Sequence, residues 1–122
     1  MVRVTPERFD ELVADALDEL PPELADELDN VVVVVEEWPT PEQLDGRGGT
    51  LLGLYEGVPL TERGPVSYAG VMPDQVFVFS GPLCELARDE AELIEQVRVT
   101  VLHELGHYFG LDDDRLHELG WA

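Results

Sequence analysis

The chain predicts an α+β fold, a small mixed β-sheet with one long helix packed on a face of it. Three observations carry this. Residues 5–20 and 89–109 repeat apolar side chains at helical spacing, and residues 31–35 and 75–80 are short β-branched and aromatic runs. Between those runs, residues 40–73 hold seven of the eleven glycines and four of the nine prolines, a composition of turns and short strands. A chain of 122 residues is expected to form one domain with a single modest core.

Thr5 reads as the N-cap of the first helix and Pro6 as its first residue, where a missing N–H is no loss. Phe9, Val13, Ala16, Leu17 and Leu20 fall on one stripe, and Pro21-Pro22 stop the helix. A further helical turn is expected over 23–28. The five valines 31–35 lack polar alternation, the pattern of a strand buried on both faces, so this run is expected at the sheet centre until Trp38-Pro39 ends it. Residues 51–55 are the clearest strand of the glycine-rich stretch. Residues 75–80 (QVFVFS) alternate in part and are expected to be the strand nearest the long helix. Gly81-Pro82 breaks that strand, 83–88 can make one helical turn, and Asp89 caps a long helix to Phe109. Leu93, Val97, Val101, Leu105 and Tyr108 form its apolar stripe, widened by Ile94, Leu102 and Phe109. Val97, Val99 and Val101 are mediocre helix formers, so burial more than propensity must secure it.

The end of that helix carries the chemistry. His103-Glu104-Leu105-Gly106-His107, followed by Gly110 and Asp113, reads His-Glu-x-x-His-x-x-Gly-x-x-Asp. A helix advances about 100° per residue, so His103 and His107 return to one face and can hold one ion. Glu104, one step round, is placed to touch a water on that ion as a general base. Gly110 can adopt the left-handed conformation that ends a helix, and the reversal would bring Asp113 beneath the ion as third ligand, leaving a fourth position open. Asp112, Asp114 and His117 are alternatives for that third place. The acidic trio 112–114 also suits the start of a last helix over 113–119, with Asp112 as N-cap and Gly120 closing it.

The run from Thr100 to Arg115, TVLHELGHYFGLDDDR, resembles the small bacterial zincin-like metallopeptidases, whose motif has the metzincin form with Asp in place of the third His. The N-terminal helix, the valine strand, the segment LLGLYEGVPLTERG and the Gly81-Pro82-Leu83 turn agree with that family in outline. The resemblance implies a minimal zincin-like fold, Zn2+ held by His103, His107 and Asp113, Glu104 as catalytic acid/base, and a peptide or protein substrate. It also implies that 75–80 could bind an extended peptide along its edge. Two departures stand out. The only methionines, Met1 and Met72, lie upstream of the motif, so a methionine turn below the metal is missing, and only nine residues follow Asp113. Glu118 is the one candidate for a gluzincin-type third ligand. His117 and Tyr68 are candidates to stabilise an oxyanion.

Composition narrows the partners. Formal charge is −20, from 27 acidic against seven basic residues, a surface that repels phosphate backbones and anionic membranes. No nucleic-acid or membrane partner is expected. Cys84 is alone, which rules out an intramolecular disulfide, and no run has the length of a signal peptide core or a membrane span. A cytoplasmic location is the corresponding expectation.

Overall fold

A computed structural model of the chain describes residues 1–28, 31–46, 48–57 and 73–121. Helix α1 (Pro6–Leu17) starts where Thr5 accepts a hydrogen bond from the Arg8 N–H at 3.1 Å, and it buries Phe9, Leu12, Val13 and Ala16. A single turn, α2 (Pro22–Ala25), follows the proline pair. Strand β1 (Val31–Glu36) leads to α3 (Pro41–Leu44), a turn absent from the sequence expectation although its signature was present. Thr40 and Gln43 form a reciprocal capping box there. Strand β2 (Gly53–Glu56) starts two residues and ends one residue later than the expected 51–55, and β3 (Asp74–Phe79) runs directly into α4 (Ser80–Leu86). The strand thus ends beside Gly81-Pro82 as expected, but the helical turn begins at Ser80 instead of 83. Helices α5 (Glu90–Tyr108) and α6 (Asp113–Leu119) complete the order. Asp89 caps α5 through the Glu92 N–H at 2.8 Å, and Asp112 caps α6 through the Arg115 N–H at 2.8 Å, both as expected.

The sheet is mixed, with order β1-β3-β2, β1 parallel and β2 antiparallel to β3. This corrects the expectation for 31–35. Among the described residues β1 is an edge strand, only half-buried, with Val32 exposed. Consecutive valines report strand propensity, and β-branched side chains tolerate a half-covered face as well as a covered one. The strand buried on both faces is β3. Val76 and Val78 join the main core, while Phe77 and Phe79 stack on the opposite face with centroids 6.3 Å apart. Helix α5 crosses the sheet against β2 and β3, and α1 packs on α5. The whole predicted stripe of α5 is buried except Ile94. Cys84 is unpaired and half-buried, and burial pushes its thiol pKa up. No helix among the described residues is long and apolar enough to cross a membrane.

Candidate metal centre

Helix α5 puts His103 and His107 one turn apart with their Nε2 atoms 3.2 Å from each other and their rings at 88°. Two imidazoles on one tetrahedral zinc, each at about 2.0–2.1 Å, would have their nitrogens roughly 3.3 Å apart. The two imidazoles therefore fit that ion. Nδ1 of His103 lies 3.1 Å from the Trp121 carbonyl oxygen. A carbonyl only accepts, so Nδ1 carries the proton and Nε2 of His103 is left with a free lone pair. The proton shared between the two Nε2 atoms is the one a cation would displace.

Glu104 belongs to the same cluster: one ligand atom from each of His103, Glu104 and His107 lies within 4.8 Å of the others. Its carboxylate is mostly buried and accepts the backbone N–H of Tyr55 on β2. Burial pushes its pKa above the ordinary 4.5, while charge on His103 and the Tyr55 N–H pull it back. Burial likewise lowers the pKa of His107 below 6.5, reinforced by His103 and opposed by Asp113. The close approach of β2 depends on Gly53. A Cβ there would stand 2.7 Å from Thr100 Cγ2 and 3.1 Å from Glu104 Cγ. Strand β2 thus meets α5 at Glu104 of the motif. Because β3 is paired on both sides, the expected edge-pairing of a peptide on 75–80 is closed.

The helix ends as the motif predicts. Gly110 has φ +80°, its N–H reaches the His107 carbonyl at 3.0 Å, and the Leu111 N–H reaches the Gly106 carbonyl at 2.9 Å. These are the two bonds of a Schellman turn. The chain doubles back, and Leu116 of α6 packs where only glycine fits, against Gly106 inside the motif. A second left-handed turn at Gly120 (φ +77°) closes α6 and delivers the Trp121 carbonyl to His103.

The candidate third ligands stand apart from the cluster. Asp113, first residue of α6, is exposed; it is near enough to His107 to act on its charge, but its carboxylate is outside the group formed by His103, Glu104 and His107. Asp112 is engaged as the N-cap, Asp114 and His117 are exposed, and Glu118 pairs with Arg115 at 2.9 Å. Tyr68 and Met72 lie outside the described residues, and Met1 is exposed on the N-terminal arm. Sequence reasoning missed Trp121, Tyr55 and Gly53. The first two act here through backbone groups, which leave no residue signature. The pairing of a helix-ending glycine with a large apolar residue at 120–121 was the one available hint.

A family described as zincin-like metallopeptidase matches residues 28–121. Among solved structures, a conserved hypothetical protein from T. thermophilus is similar at 28% identity and a TM-score of 0.56, over 95% of this chain and 97% of that one. No curated protein matches. The family match takes in β1, β2 and β3, the paired histidines and Trp121, and the chain belongs to the zincin-like metallopeptidase family.

Proposed function

We propose that this protein is a zinc-dependent peptidase whose metal is held by His103, His107 and Asp113 and whose general base is Glu104. The observation that carries this is the 3.2 Å convergence of two imidazole nitrogens beside a mostly buried carboxylate. When bound, zinc would supply Lewis acidity toward a water and toward the scissile carbonyl. The chain's own groups would do the rest. The Trp121 carbonyl fixes the His103 ring and its tautomer. Glu104 would accept the proton of the attacking water and later return it to the leaving amine, and its raised pKa brings it nearer neutrality, where a general base works best. The Tyr55 N–H orients the carboxylate for both transfers. Asp113 would complete the ligand set from the N-terminus of α6.

A second reading, a metal- or peptide-binding module with little turnover, is favoured by the position of Asp113 outside the cluster. Glu104→Gln separates the two. The variant keeps size and hydrogen bonding, so zinc should stay bound while hydrolysis of an unstructured protein substrate falls by at least about 100-fold, the usual contribution of a general base. Wild-type hydrolysis that survives the substitution unchanged would refute the assignment of Glu104, and zinc binding without wild-type hydrolysis would favour the second reading.

A further inference from the structure

Beside His103 lies a cleft of about 430 Å³, between the start of β2 and the turns of α5 that precede it. Its size lies within the range of pockets that hold a small ligand or one long side chain. The β2 wall at Gly53 is backbone, and the helix wall is Val99 and Thr100. His103 and Glu104 stand at one end. Two turns earlier on the same helix, about 12 Å along the axis, Glu95 and Gln96 stand at the other.

Among the described residues that line the cleft none is Lys or Arg, while Glu95 and Glu104 are carboxylic acids. Arg98 approaches Glu95 from outside the cleft, at 3.4 Å, but is held at 2.6 Å by Glu19. One guanidinium shared by two carboxylates leaves a negative charge uncompensated. Glu95 is mostly exposed, so it can turn to a ligand at little cost.

We propose that this cleft receives a lysine or arginine side chain of the peptide substrate next to the scissile bond, with Glu95 as the residue that selects it. This rests on the peptidase reading above. An aliphatic stem packs along Val99 and the Thr100 methyl, and the cationic head meets the Glu95 carboxylate and the Gln96 amide oxygen. An acidic side chain in the same place would meet the Glu95 carboxylate, whose guanidinium partner Arg98 is shared with Glu19, which is selection by repulsion. The net charge of −20 acts in the same direction at long range, drawing basic peptides toward the protein.

The test is a series of internally quenched peptides identical except for one residue, Arg, Lys, Ala, Leu or Glu, placed in turn on each side of the cleaved bond. At low salt the Arg and Lys peptides should exceed the Glu peptide in kcat/KM by about 10-fold or more, a gap that narrows as salt screens the charges. Glu95→Lys should lower kcat/KM of the Arg peptide about fivefold, through KM, and leave the Ala peptide within about twofold. Glu42→Lys, exposed on α3 and outside the cleft, makes the same change in net charge and should not alter the preference. In the Glu104→Gln background, calorimetry should show the Arg peptide bound more tightly than the Glu peptide. Equal binding there, cleavage without preference for basic residues, or a Glu95→Lys loss shared by all peptides overturns the cleft assignment and leaves the peptidase reading standing. Failure of the wild type to cleave any peptide overturns that reading and the substrate role of the cleft with it.

Discussion

Glu104 shows how one side chain can be costly to the fold and useful to the chemistry. Its carboxylate is withdrawn from water beside two imidazoles, with one backbone N–H in compensation. Burial raises its folded-state pKa, so its contribution to stability is fully present below the ordinary 4.5 and is lost as pH rises through the folded value. In metal-free protein, Glu104→Gln should therefore melt at a higher temperature than wild type near pH 7, and the difference should vanish as pH falls below about 4.5. A difference that is the same at both pH values would show that the carboxylate is not desolvated. His107 has the opposite sign: its pKa is depressed, chiefly by burial, which favours the neutral form that binds metal.

At the scale of elements, the site is a junction of α5, α6 and β2, and two glycines permit it. Gly53 admits the strand and Gly106 admits Leu116 of the last helix. Gly106→Ala places a methyl against Leu116, and overpacking at such a contact costs about 1–3 kcal/mol. Urea unfolding should show that loss, together with weaker metal binding, because α6 carries the turn that delivers the Trp121 carbonyl to His103. A destabilised variant with wild-type metal affinity would mean that α6 does not hold the ring. The extent of α5 and α6, both caps and the glycine turn were legible in the sequence because each is written in residues close together along the chain. The sheet order was not. The valines of β1 and the residues of β3 are both good strand formers, and which of them is central depends on pairing across some forty residues. The Tyr55 N–H and the Trp121 carbonyl were illegible for another reason, since any residue offers the same backbone groups.

For the whole molecule, charge is the dominant fact. The described arginines that form ion pairs, Arg8, Arg88, Arg98 and Arg115, do so with carboxylates that are exposed or, for Glu92, half-buried, pairs worth little individually, and most acidic groups remain unbalanced. Self-repulsion of this kind weakens the compact state, and salt relieves it as the screening length falls from roughly 30 Å at 10 mM to a few ångströms near 1 M. Melting temperature should rise over that range, each kcal/mol recovered appearing as about 4 °C. A flat or falling curve would show that the surface charges are already offset in the fold. The central claim concerns three side chains and one cation, and zinc calorimetry on chelator-stripped protein reads it directly. One ion per chain should bind to wild type and to Glu104→Gln, with affinity lost in His103→Ala and in His107→Ala. Stoichiometric binding that persists unchanged in both histidine variants would contradict the account.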